Sequence, residues 1–212
     1  MSRTQYFAEL ESVRRNLIEM GETTLALLDE ALHAISAPDP TLAEKASELE
    51  AQTDHQHRLI HARCLSVITR QAPVARDARL VTGVLDAIVD LELIGDYSYE
   101  IVMLSAPGRR RAPSQVLSQI SDIGAKVRGI LAGAIDAWNA DGSPPTISPR
   151  PQEATIHAEC GVLYEKLSRL TSGPGDASVF VDLMLVTRHL ERIMRHGVSV
   201  AVQASGSMST AP

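Results

Sequence analysis

The chain of 212 residues is long enough for one domain, or for two small domains that share a core. Hydrophobic residues make up 44% of it but aromatic residues only 3%, a mixture that favours aliphatic helices over a β-sandwich. The net charge of −6 disfavours a nucleic-acid partner, because binding to phosphate groups requires a basic surface.

Proline, glycine and capping residues divide the chain into six segments with helical periodicity, which predicts an all-α protein of six long helices. The expected helices lie at about 4–36, 41–70, 77–105, 114–140, 152–170 and 176–203. Thr41 is expected to cap the second helix, with Glu44 at the capping-box position. A linker is expected at 142–151, where four prolines argue against a helix.

The six segments form two groups of three that resemble each other, which indicates an internal repeat. The similarity is clearest between 85–102 and 184–201, where Glu92 and Glu191 both lie in a Leu-Glu-x-Ile motif. We therefore expect two tandem three-helix bundles. Their predicted ranges are 1–106 and 107–204, followed by a disordered tail at 205–212.

Four acidic residues of the first half, Glu50, Asp54, Glu92 and Asp96, form two pairs with i, i+4 spacing. In a level antiparallel hairpin that turns at Pro73, Asp54 faces Glu92 and Glu50 faces Asp96. Oxygen ligands gathered in this way suit Mg, Mn, Ca or Fe. The alternative, four solvated carboxylates on ordinary helix faces, stays open at this stage because the register of the hairpin is assumed.

Several other features have a functional and a plain structural interpretation. His57 and His61 lie on the same arc of the second helix as Asp54 and could extend a metal site, although the level hairpin places them opposite Val89 and Leu85. The basic run 109–111 could dock an acidic partner or an anionic membrane surface, or be a solvated loop. The two cysteines, Cys64 and Cys160, are expected to be buried thiols.

The chain is expected to be cytoplasmic and not an enzyme. Its first residues lack the apolar run of a signal peptide, and no stretch of about 18 apolar residues is present that could span a membrane. We find no Ser-His-Asp or Cys-His arrangement, phosphate-binding glycine loop or HExxH motif in the sequence.

The region 71–102 resembles the PhoU family, regulators of bacterial phosphate uptake. The family pattern Q-x-P-V-A-x-D-L-R, followed after an aliphatic helix by E-R-I-G-D-H, reads QAPVARDAR and ELIGDY here. Segments in the first two helices, at 17–21 and 42–46, also fit, and 190–193 matches the second copy of the motif. The resemblance covers almost the whole chain and is strong up to about residue 104.

The resemblance implies two three-helix bundles whose inner helices carry E/D-x-x-x-D motifs able to hold iron or other metal clusters. These motifs correspond here to Glu50, Asp54, Glu92 and Asp96. The second half departs from the pattern, because Arg195 stands where the family has a second carboxylate. A level hairpin there places His157 opposite Glu191 and Glu153 opposite Arg195, so we expect that the second metal site is lost.

By the same resemblance, the protein is expected to be a negative regulator of phosphate uptake and of the phosphate-starvation response. It would be an adaptor between the ATPase subunit of a phosphate ABC transporter and a membrane sensor histidine kinase, and a homodimer. A PhoU-like, metal-binding adaptor for another transporter or signalling pathway is the main alternative. A ferritin-like oxidase or metal store is a further one, although such sites need two Glu-x-x-His motifs and only Asp54-x-x-His57 approaches one.

Overall fold

The computed structural model describes residues 3–107, 112–140, 149–172 and 177–208, and these residues form six α-helices. The helices are α1 (Arg3–Ser36), α2 (Thr41–Gln71), α3 (Ala75–Leu104), α4 (Ser114–Asn139), α5 (Pro149–Thr171) and α6 (Ser178–Met208). The all-α prediction is therefore confirmed. The basic run 109–111 and the expected turn at 173–176 lie outside the described residues.

Two helix boundaries and one helix cap differ from the sequence prediction. Helix α5 begins at Pro149, inside the expected linker, because prolines are tolerated in a first turn where their missing N–H has no helical partner. Helix α6 continues to Met208, so residues 205–208 are helical and not part of a disordered tail. Thr41, expected as the N-cap, is instead the first residue of α2, and Pro40 occupies the N-cap position. The backbone N–H and the hydroxyl of Thr41 donate hydrogen bonds to Asp39 Oδ1.

The first three helices pack together, as do the last three, and the two groups are joined along α3–α6 and α1–α4. The core is aliphatic, as the composition suggests, with Leu17, Leu27, Ile88, Ile94 and Leu131 fully buried. Trp138 is buried too, and its indole N–H donates a hydrogen bond to the carbonyl of Val200 at 3.1 Å.

Two glycines allow α1 and α4 to approach closely. A Cβ on Gly21 would lie 2.8 Å from Ile135 Cγ1, and one on Gly124 would lie 2.4 Å from Leu32 Cδ2. These contacts are equivalent under the repeat, so each half offers a glycine to an aliphatic side chain of the other. Arg128 and Asp29 add a bidentate ion pair between the same helices, at 2.6 and 2.9 Å. Among the described helices, none combines the length and apolarity needed to cross a membrane.

Candidate metal centre

The acidic residues of the first half lie where α2 and α3 approach closely. Gly95 of α3 packs against Thr53 of α2, and a Cβ on Gly95 would lie in ordinary van der Waals contact with the Thr53 methyl group, at 3.4 Å. Because Asp54 and Asp96 directly follow these two residues, the same contact brings their carboxylates toward each other. The contact of Thr53 with Gly95 therefore lies directly beside two of the acidic residues.

Three of the four predicted residues converge. One carboxylate oxygen from each of Glu50, Asp54 and Asp96 lies within 4.8 Å of the others, and all three residues are half-buried. The fourth, Glu92, is one turn away along α3. Its Oε1 lies 3.8 Å from His57 Nδ1. We call Glu50, Asp54 and Asp96 the acidic triad.

The contact between His57 and Glu92 shows that the expected level register of α2 and α3 was wrong. We expected His57 to face Val89 and the acids to pair two by two. In the structure, Asp96 converges with both acids of α2, and His57 contacts Glu92. Two residues at the turn have a positive φ, Ala72 at 42° and Ala75 at 48°, and Val74 between them is extended. The two helices therefore leave this turn staggered.

The acidic triad concentrates negative charge. Burial raises the pKa of Asp96 to about 6, and the charges of Glu92, Asp54, Glu50 and Glu100 act in the same direction. Burial also raises the pKa of Glu50, with a further contribution from Asp54. Each charge that acts on Asp96 is that of another carboxylate, so the site favours a cation or a proton.

The donor set fits a hard divalent cation or iron. Carboxylate oxygens are the ligands that Mg, Ca and Mn prefer, and iron accepts them together with imidazole nitrogen. Glu92 and His57 adjoin the triad and offer one further oxygen and one nitrogen. Among the described residues, the candidate site therefore combines side chains of α2 and α3, next to the contact of Thr53 with Gly95.

The corresponding position in the second half has different chemistry. Glu191 is only 4% exposed, and three side chains contact its carboxylate at 2.7 Å: His157 Nδ1, Arg188 Nη1 and Arg195 Nη2. Burial alone would raise the pKa of Glu191, but the hydrogen bonds from His157 and Arg188 and the charge of Arg195 outweigh it and lower the pKa. The expected contact of His157 with Glu191 is confirmed, whereas Arg195 pairs with Glu191 and not with Glu153.

A polar seam between α3 and α6 was not predicted. Asp90 accepts a hydrogen bond from Gln203 Nε2 at 2.9 Å, and His196 Nδ1 lies 2.8 Å from its other oxygen. The Tyr97 ring stacks on the ring of His189 at 5.5 Å. The sequence held one signal for this seam, since Tyr97 and His196 occupy equivalent positions of the repeated motif. The contacts themselves depend on the packing of α3 on α6, which joins residues distant in the sequence.

The two cysteines match the prediction of buried thiols. Cys64 and Cys160 are both free and buried. Burial raises the pKa of each thiol to about 12. Because the thiolate is the nucleophile and the metal ligand, both side chains are core residues without thiol chemistry at neutral pH.

The chain is similar to proteins of known family along nearly its whole length. A family model described as "PhoU domain" matches residues 17–104. A "Phosphate-specific transport system accessory protein PhoU homolog" of Pseudomonas putida is 28% identical over 202 residues, which cover 93% of this chain and 78% of that protein. The homolog of Pseudomonas aeruginosa is 27% identical and is covered to 82%.

Solved structures show the same architecture. The crystal structure of PhoU from Pseudomonas aeruginosa superimposes with a TM-score of 0.87 at 25% identity, covering 94% of this chain and 96% of that one. The phosphate transport system regulatory protein PhoU from Streptococcus pneumoniae has the same fold, with a TM-score of 0.84. The sequence motif, the family model over residues 17–104 and the fold all agree in making this chain similar to PhoU proteins.

Proposed function

We propose that this protein is a negative regulator of phosphate uptake and of the phosphate-starvation response. The observation that carries the proposal is the likeness to PhoU proteins over 93% of the chain in sequence and 94% in structure. The names of those relatives tie them to a phosphate-specific transport system. In this proposal the protein keeps the starvation response off when phosphate is plentiful.

The mode of action that we propose is that of an adaptor and not of an enzyme. By the family resemblance, its partners are the ATPase subunit of a phosphate ABC transporter and a membrane sensor histidine kinase, met at the cytoplasmic face of the membrane. The protein itself is proposed to be a homodimer. Six long helices with a continuous aliphatic core give a rigid body that can present surfaces to two partners.

We further propose that the acidic triad binds a divalent metal or an iron centre, with Glu92 as an additional ligand. The support is the convergence of Glu50, Asp54 and Asp96 and the raised pKa of Asp96. A bound cation would relieve the repulsion between these carboxylates. A metal would supply positive charge that holds α2 to α3. The ferritin-like alternative is weaker, because such a site needs two Glu-x-x-His motifs. Here His57 contacts Glu92 of α3, which is not part of such a motif.

The regulatory role can be tested by deleting the gene and measuring alkaline phosphatase in phosphate-rich medium. We expect high phosphatase in the deletion strain, and low phosphatase when the wild-type gene is returned on a plasmid. Phosphatase that stays low in the deletion strain would contradict the proposed role. A parallel measurement of phosphate uptake separates an effect on transport from an effect on signalling.

A second candidate is a PhoU-like adaptor for another transporter or signalling pathway. The altered second half favours it, because Arg195 stands where the family pattern has an acidic residue, and this arginine contacts Glu191. Phosphatase unchanged by deletion, together with a growth or transport defect for another solute, would favour this candidate over the first.

A further inference from the structure

Because the two halves are repeats, the residues of α6 have equivalent residues in α3. The alignment that places Glu191 on Glu92 also places Arg195 on Asp96. The structure supports this alignment, because it pairs Asp90 with His189 and Tyr97 with His196. The contacts of Asp90 with His196 and of Tyr97 with His189 are therefore the same contact made in both directions across α3 and α6. Arg195 thus occupies the place of a residue of the acidic triad.

The surroundings of Glu191 do not fit a metal ion. Its two oxygens already accept hydrogen bonds from two guanidinium groups, Arg188 on Oε2 and Arg195 on Oε1, and His157 lies at 2.7 Å from Oε1. A carboxylate with this many charge-assisted contacts has its lone pairs engaged. A metal would have to displace them and would then lie beside two fixed positive charges.

The first half has the opposite balance. The charges acting on Asp96 are all negative, and burial adds to their effect. The charges acting on Glu191 include those of two arginines from its own helix, and the carboxylate is almost completely buried among them. Each half therefore has a carboxylate where two helices meet, Asp96 for α2 and α3 and Glu191 for α5 and α6. The charge of Glu191 is balanced by arginine side chains, whereas that of Asp96 is left for a metal ion.

We propose that three side chains take the place of a metal ion at Glu191. Arg188 and Arg195 neutralise its carboxylate from the same helix, and His157 joins α5 to α6, so that metal acts on the first half alone. The second part of this inference, that metal acts on the first half alone, rests on the proposed metal binding of the acidic triad. Its first part, the metal-free junction of α5 and α6, stands on the contact of His157 with Glu191, whose carboxylate Arg188 and Arg195 neutralise from within α6. A PhoU-like protein of this kind responds to metal with one half and keeps the other half fixed.

Hydrogen–deuterium exchange of the full-length chain tests both parts. Metal is first removed with a chelator, and Mn²⁺ or Fe²⁺ is then titrated anaerobically. We expect added metal to slow exchange in peptides that span 50–57 and 92–100. Peptides that span 153–160 and 188–196 should be protected before metal is added and should not change. Protection of the α5 and α6 peptides that appears only with metal would overturn the proposal.

Two variants make the test independent of metal binding by the wild type. Glu191→Gln should speed exchange around His157 by about tenfold or more in metal-free protein, because it removes a buried charged acceptor, whereas the exposed control Glu165→Gln should not. If metal changes no peptide of the wild type, the metal proposal for the triad fails. Glu191→Gln then still decides the junction, and unchanged exchange in α5 would overturn it.

Arg195→Asp restores a carboxylate at the position where the family pattern has one. We expect this variant to make the peptides of α5 and α6 sensitive to added Mn²⁺, with Glu191 and the new carboxylate one turn apart on α6. Asp96→Asn in the same background keeps the first half from competing for the metal. If α5 and α6 stay insensitive to metal, Arg195 is not the residue that excludes it, and the proposed replacement is wrong.

Discussion

Asp96 carries the largest electrostatic penalty of the acidic triad. Its pKa of about 6 in the folded protein, against 3.8 ordinarily, means that deprotonation costs folding free energy as pH rises through this interval. Asp96→Asn should therefore stabilise the metal-free protein at pH 7.5 by about 1 kcal/mol, because solvent screens part of the repulsion at this half-buried carboxylate. The gain should disappear near pH 4, and urea unfolding at both pH values measures it.

The same substitution should have the opposite effect when metal is present. A ligand at about 100 times its dissociation constant stabilises the folded state by about 2.7 kcal/mol, and Asp96→Asn should abolish most of this shift. Wild-type protein should also bind metal more weakly below pH 6, where Asp96 is protonated. A metal-induced increase in Tm that survives in Asp96→Asn would show that the triad is not the site.

Glu191 should show the reverse dependence on pH. Its pKa is lowered in the folded state, so its contribution to stability is present above the ordinary carboxylate range and is lost as pH falls below it. Glu191→Gln should cost about 2 kcal/mol at pH 7, since two arginines lose a buried charged partner. The difference from the wild type should narrow at pH 3.5. Equal stability at pH 7 in urea unfolding would contradict this account.

At the scale of helices, the close approach of α1 and α4 depends on Gly21. Ala at this position would place its Cβ 2.8 Å from Ile135 Cγ1, an atom near the backbone that cannot simply rotate away. Gly21→Ala should therefore destabilise the protein by roughly 1–3 kcal/mol. Gly129→Ala on α4 is the matched control, because nothing lies within 4 Å of its added Cβ. The control should gain up to about 1 kcal/mol from helix propensity.

The helices themselves were predictable because proline and glycine mark their ends and apolar residues recur at helical spacing. All six were expected within a few residues at most boundaries, the extension of α6 to Met208 being the largest difference. The register of α2 against α3 was not predictable, since it depends on the conformations of Ala72, Val74 and Ala75 at the turn between the helices. That register decides which side chain of α2 meets Glu92, so the prediction for His57 failed while the convergence of Glu50 and Asp96 was recovered.

At the scale of the whole molecule, the two halves have the same architecture but different inner sites. The seam of α3 and α6 repeats its contacts in both directions, from Asp90 to His196 and from His189 to Tyr97. Sequence could indicate the repeat through the motif around Glu92 and Glu191. It could not place the halves against each other, because the packing of α3 on α6 joins residues about a hundred positions apart. The loss of an acid at Arg195 was visible in the sequence, but its pairing with Glu191 needed the structure.

The most direct test of the account is whether the acidic triad is required for regulation in the cell. A strain that lacks the gene is complemented with the wild type, with Glu50→Gln/Asp54→Asn/Asp96→Asn, or with the exposed control Glu165→Gln, and alkaline phosphatase is measured in phosphate-rich medium. We expect the wild type and the control to silence phosphatase, and the triple variant to leave it high although it is present at normal levels. Silencing by the triple variant equal to that by the wild type would contradict the functional role of the triad.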